Sequence, residues 1–250
     1  MATVTDARRS RLPYAARADG SAGVSIDASR QDLRAVRAAL NKALVEGEVV
    51  LSGAAHLHGL LAGLSEGQVT IQGDAGDYLA VLNSGATIRV LGDAGRYLAD
   101  NMTRGLVIVE GKAGDAAAPY CYGGTVVVRG DAGDFAAVMN KGATILVGGS
   151  VGNDVATYML AGDVIIVGDA GKNLGNYLIR GNIYVGGTWR SLGHNTRVED
   201  MDEADWDKLG AYFEEYGIRA NPKDFRKIER LSEKPFYKAK ASASVTRPAT

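Results

Sequence analysis

His56 and His58 stand two apart in Ala54-Ala55-His56-Leu57-His58-Gly59. On a strand that spacing turns both rings to one face and offers two nitrogens to a metal. No third ligand is evident nearby, so a solvated loop is the stronger reading. Cys121 is the single cysteine. It cannot form an internal disulfide, and alone it cannot hold an iron–sulfur cluster or a thiolate zinc site. It shares a spacing with Met102 and Met139, which makes it a core filler, not a nucleophile. His194 lies in the polar run Ser191-Leu192-Gly193-His194-Asn195, with no nucleophile beside it. Asp74, Asp93, Asp131 and Asp169 recur at one interval and could line up as a calcium ladder. Lys112 and Ser150 interrupt that column, and Lys112 would displace an ion, so each Asp is expected to bond the backbone of its own turn. Tyr78, Tyr97 and Phe135 could stack as a platform for carbohydrate or bases. The apolar Leu79, Leu98 and Ala136 beside them favour a core ladder instead. No catalytic, cofactor-binding or metal-binding residue is assigned.

The elements that would position these residues follow from glycine. The chain has 33 glycines in 250 residues, about 13% against a usual ~7%, but only 5 prolines. Gly-Asp-Ala-Gly starts at Gly73, Gly92, Gly130 and Gly168, and variants start at Gly111 and Gly149. All six starts are 19 residues apart, and each tetrapeptide closes on a second turn glycine: Gly76, Gly95, Gly114, Gly133, Gly152 and Gly171. Gly53 is one residue out of register. Four positions before the turn stand Val49, Val69, Ile88, Val107, Val126, Ile145, Val164 and Ile183. Two positions before it stand Leu51, Ile71, Val90, Val109, Val128, Val147, Ile166 and Val185. Two apolar columns flanking a mixed one describe a strand with one buried face. Counted back from a further glycine before each strand, Leu82, Met102, Cys121, Met139, Met159 and Leu178 form a third buried column. A unit of nineteen is too short for two helices, and it fits one coil of a right-handed parallel β-helix. About seven to eight coils are expected, over residues 47–195.

The flanks read as caps for the open ends of the stack. Residues 1–46 form a tail and a helix over 29–44, with Ser29 and Asp32 as its capping box. Residues 196–250 form an acidic helix over 202–216 and a tail. Residues 1–20 and 238–250 are expected to be mobile. The charge balance, 28 Lys and Arg against 29 Asp and Glu, favours neither nucleic acid nor membrane. No apolar run reaches the ~18 residues of a membrane span, and the expectation is a cytoplasmic protein. No phosphate-loop or dinucleotide fingerprint occurs.

The Gly-Asp-Ala-Gly coils, each with a further glycine before its strand, resemble the GXGXG domain, the β-helical C-terminal domain of the glutamate synthase large subunit. Separate GXGXG chains occur in formylmethanofuran dehydrogenase, in the formyltransferase/hydrolase complex and in N-methylglutamate synthase. The ending here, Tyr216-Gly217-Ile218, Phe225-Arg226-Lys227-Ile228 and Lys234-Pro235-Phe236-Tyr237, is similar to the split glutamate-synthase-type subunits. The resemblance implies a non-catalytic scaffold in a hetero-oligomer, between an amidotransferase-like subunit and a synthase subunit carrying FMN and an iron–sulfur cluster. No cofactor is implied for this chain. The alternative is a structural subunit of a formyl-transfer complex. A stand-alone hexapeptide acyltransferase fits less well, because its coils repeat in sixes.

The mixed column between the two buried ones turns apolar at Ile108, Val127, Leu146, Ile165 and Tyr184. A solvated face would carry charge there, so a partner is expected to cover it. With Trp206, Tyr212 and Phe213 of the C-terminal helix, these residues form the expected interface.

Overall fold

The structure is a computed structural model that describes residues 23–233. The two expected tails, 1–20 and 238–250, and the segment 234–237 lie outside the described residues. The chain forms a parallel β-solenoid of about seven turns with two short helices. Its strands are β1 (Val24–Asp27), β2 (Val49–Ser52), β3 (Gln68–Gln72), β4 (Ser84–Val90), β5 (Arg104–Val109), β6 (Thr125–Val128), β7 (Lys141–Val147), β8 (Ala161–Ile166) and β9 (Asn182–Val185). Each pairs in parallel with the next, and Val49, Val69, Ile88 and Val107 lie side by side in register. Both expected apolar columns are buried inside the coil. The sheet does not stop at the repeats. β1 pairs with β2 before the helix α1 (Leu33–Glu46) has returned the chain, and β11 (Arg226–Arg230) adds antiparallel to β9. β10 (Thr196–Glu199) then pairs with β11 as the outermost strand.

The corners explain the repeated tetrapeptide. Asp74 Oδ1 accepts the N–H of Asp93 at 2.8 Å, and Asp93 Oδ1 accepts that of Lys112 at 2.7 Å. A second column, three residues on, does the same: Asp77 accepts from Arg96, Asp115 from Asp134, and Asp134 from Asn153. The carboxylates therefore bond the next coil, 19 residues on, and not their own turn as expected. An aspartate is long enough to bridge one coil rise of ~4.8 Å and satisfy a corner donor that no strand reaches. The same contact demands glycine. A Cβ at Gly92 would strike Asp74 Oδ1 and sit 2.7 Å from Gly73 C, and one at Gly95 would sit 2.6 Å from Asp77 N.

The segment between the corner and the next strand is not extended. Alternate residues are left-handed: φ is 59° at Tyr78, Ala80 and at Leu82 58°, and this recurs in the following coils. Such residues cost about 1–2 kcal/mol each in isolation. Here the alternation aims successive N–H groups up and down the stack. Tyr78 N donates to Arg96 O at 2.7 Å in the next coil, and Ala80 N to Leu60 O at 3.0 Å in the previous one.

The third column is corrected in two places. Leu82 is 56% exposed and Met139 only half-buried, whereas Asn83 and Asn140 are fully buried in line with Met102, Cys121, Met159 and Leu178. In both coils the pairing slips ahead of the strand, so counting back from the glycine lands one residue early. Each asparagine repairs its bulge. Asn83 accepts from Ala86 N and donates to Ala86 O, both at 3.0 Å, and Asn140 does so with Ala143 at 2.9 Å.

α1 closes the first end, its Val36, Leu40 and Ala43 joining the interior core. Its cap is Asp32, which accepts from Ala35 N at 2.8 Å; Ser29 lies in the preceding turn, donating its N–H to Asp27. The other end is closed by β11, whose Ile228 enters the core, and not by the C-terminal helix. Gly95→Ala is expected to destabilise the chain by about 2–3 kcal/mol, because backbone is what the new methyl meets. Gly63→Ala, with open space but φ of 73°, should lose only about 1 kcal/mol. Chemical denaturation of the two variants checks the contrast.

Candidate functional site

The stripe expected to meet a partner is already covered. Ile108, Val127, Leu146, Ile165 and Tyr184 are 0–1% exposed, packed under Leu209, Phe213, Tyr216 and Phe225. The cover is the helix α2 (Glu203–Tyr216), which crosses the outer face of the sheet instead of capping the stack. Its contacts step down one strand at a time. Asp205 meets Tyr184 on β9 at 2.7 Å, and Lys208 meets Asp163 on β8 at 3.4 Å. Tyr212 meets Thr144 on β7 at 3.2 Å, and Tyr216 meets Thr125 on β6. A helical turn of ~5.4 Å nearly matches the ~4.8 Å strand spacing, so each turn finds the same neighbours. The helix faces outward with Glu203, Asp207 and Glu214. Of the expected interface residues, Phe213 is buried against the sheet, Tyr212 is half-buried there, and Trp206 sits under Lys223 at the helix edge.

One polar network lies beneath α2. Asp205 accepts from Tyr184 and from Lys227 at 3.1 Å, and Lys227 also meets Glu229 at 2.7 Å. Burial pushes the Asp205 carboxyl up, but the bonds from Tyr184, Lys227 and the Asp202 N–H pull it down further, below the ordinary carboxylate value. Burial lowers the Lys227 ammonium, and Glu229 and Asp205 raise it beyond that loss. Burial and then the bond to Asp205 raise the Tyr184 phenol. The remaining outer column on this face agrees with the extent of the helix. Where α2 does not reach, the outer position is Val50, Thr70 or Arg89, and Arg89 and Arg129 clasp Glu110 at 2.8 and 2.7 Å.

The histidines are held apart by separate tasks. His56 Nε2 lies 3.0 Å from Gln31 O, in the loop leading into α1. His58 Nδ1 accepts the Asp77 N–H at 3.0 Å and so begins the second corner column, a role legible only once 58 is counted as 77 minus 19. His194 packs its ring at 4.9 Å on Tyr177. Cys121 is buried in the core column as expected, and burial pushes its thiol up to about 12. Among the described residues no group of three or more His, Cys, Asp or Glu is placed to hold a metal. Among them, too, no helix is long and apolar enough to cross a membrane.

The aromatic residues are not a core ladder. Tyr78, Tyr97 and Phe135 are 38–48% exposed, and the first two stack at 4.8 Å with rings 2° from parallel. These side chains project outward while Leu79, Leu98 and Ala136 fill the core. A second outward column sits four residues on, with Tyr120, Tyr158 and Tyr177; Tyr158 and Tyr177 stack at 5.2 Å. The sequence offers the first column as a platform but favours a core ladder, and it leaves the second column unread although the period of 19 marks it. No protein-family model and no curated protein matches this chain. Fold and repeat together define it as a parallel β-solenoid whose outer face is strapped by its own helix.

Asp205→Ala should cost about 2 kcal/mol, because the buried Tyr184 hydroxyl loses its acceptor while Lys227 keeps only Glu229. Hydrogen exchange should rise across residues 203–216 while the interior strands stay protected. A depressed carboxyl contributes stability above its unfolded value of ~3.9 and loses it as pH falls through the folded value. The raised Lys227 contributes below ~10.4 and loses it as pH rises further. The α2 contact is thus expected to be firmest between those limits and to loosen first in acid, read as exchange against pH. Ellman's reagent should label Cys121 only after denaturation.

Proposed function

We propose that this chain is a non-catalytic scaffold subunit of a glutamate-synthase-like complex of the N-methylglutamate synthase type, acting in the cytoplasm. It would stand between an amidotransferase-like subunit and a synthase subunit that carries FMN and an iron–sulfur cluster. The support is the GXGXG-like coil sequence and one structural observation: among the described residues, the corner carboxylates, His58 and the thiol are engaged in the framework itself. Corner carboxylates and His58 accept the neighbouring coil's N–H groups, and the one thiol is buried with a raised pKa. A single thiol cannot furnish the four thiolates of a cluster, so the redox groups fall to the partner. A rod bonded at every coil is stiff and straight enough to hold two enzymes at a fixed distance.

The test is capture of the tagged chain from its native cell, read by mass spectrometry and visible absorption. An amidotransferase-like chain with a yellow-brown flavin and iron–sulfur protein is the expected result. A colourless formyltransferase and amidohydrolase would replace this reading with the formyl-transfer one. A chain that is captured alone would overturn both.

A further inference from the structure

The outward aromatic face has an order that its use as a plain scaffold surface does not require. Each of six coils carries two such positions on its left-handed segment, four residues apart, and all but Ala116, which is 7% exposed, are open to solvent at least in part. From the first coil to the last, the first column reads Tyr78, Tyr97, Ala116, Phe135, Asp154, Asn173. The second reads Leu82, Asn101, Tyr120, Met139, Tyr158, Tyr177. The backbone of both is left-handed throughout, with φ between 51° and 60°, so both columns project from one regular surface. Inter-coil bonds such as Tyr97 N to Asp115 O at 3.0 Å and Asn101 N to Pro119 O at 3.0 Å hold the rungs in place.

We propose that this face pairs with the same face of a second copy of the chain, the two rods antiparallel about a two-fold axis. Such an axis sets the first coil against the sixth, the second against the fifth and the third against the fourth. Then Tyr78 faces Asn173, Tyr97 faces Asp154, and Phe135 faces Ala116. In the second column Tyr177 faces Leu82, Tyr158 faces Asn101, and Tyr120 faces Met139. At every rung of both columns a ring meets a smaller or unbranched side chain, and no ring meets a ring. Two-fold symmetry makes each of these contacts twice, as an isologous interface requires.

Two further observations favour a second copy over an unrelated partner. The first is pitch. Six rungs at ~4.8 Å span about 24 Å, and only a surface with the same repeat stays in register over that length. The second is charge. The Tyr97 hydroxyl faces the Asp154 carboxylate. Asp115 faces Asp134 at the centre, but both carboxylates are turned along the rod onto N–H donors of the next coil. Parallel rods would keep the alternation of sizes, with Tyr97 opposite Asn101, yet take the Tyr97 hydroxyl away from Asp154. This pairing concerns the aromatic face alone and holds whichever complex the chain enters.

The experiment is sedimentation equilibrium on the full purified chain, with circular dichroism to confirm the fold of each variant. Wild type is expected to be a dimer at twice its 26.2 kDa. Tyr97→Asp puts a carboxylate against Asp154 twice per dimer and should raise the dimer dissociation constant at least about tenfold. Aspartate tolerates the left-handed backbone, so the variant should keep its fold. Adding Asp154→Lys to that variant sets Lys against Asp and should bring the constant back to within about threefold of wild type. A monomeric wild type, or a dimer indifferent to Tyr97→Asp, overturns the proposal. A Tyr97→Asp monomer that Asp154→Lys does not rescue overturns the antiparallel register.

Discussion

Polar backbone groups at the corners of a coil lie outside the strands, where no strand partner reaches them. In this chain the next coil supplies the partner. The carboxylate of each corner aspartate reaches 19 residues on and accepts a backbone N–H, and the left-handed segment sends its own N–H groups alternately up and down. The glycines, the period and the odd backbone all follow from that one requirement. Once a carboxylate lies over the next corner, that corner has no room for a Cβ. The strain of that segment's left-handed residues, ~1 kcal/mol each, is offset by the inter-coil hydrogen bonds that their N–H groups make.

The helix α2 depends on the same stacking. A uniform coil rise creates an outer column of side chains with nearly the pitch of an α-helix, so one amphipathic helix can cross five strands and meet each alike. The apolar residues from Ile108 to Tyr184 mark the reach of the helix, and Thr70 and Arg89 mark where it ends. The strap converts what would be an exposed apolar stripe into interior. It leaves the aromatic face as the large apolar surface on the outside, and that surface inherits the coil rise as its own repeat.

Where reading by pattern succeeded, one coil carried all the information needed. The period, the two strand columns, Cys121 in the core and both helices could be seen in the sequence, because each rests on spacing within a repeat or within one helix. Where it failed, the deciding neighbour was a coil away or at the far end of the chain. The aspartates looked like turn residues because the N–H they accept is 19 residues off. Leu82 and Met139 looked buried because a bulge, repaired by Asn83 and Asn140, shifts the count by one. The aromatics looked like core because apolar Leu79, Leu98 and Ala136 stand beside them, and it is these neighbours that turn inward.

The sequence by itself determined the period, the columns that must be inside and the need to cover Ile108 through Tyr184. Those are consequences of hydrophobic burial and glycine sterics acting locally, and they repeat. Only the tertiary structure decided what does the covering. Leu209 and Phe213 come to lie on strands dozens of residues earlier in the chain, under a helix whose amphipathic pattern fits an end cap or a partner equally well. The choice turned on long-range geometry: the near-match of helix pitch to strand spacing, and the Asp205, Tyr184 and Lys227 bonds that lock the first turn of the helix to the last strands.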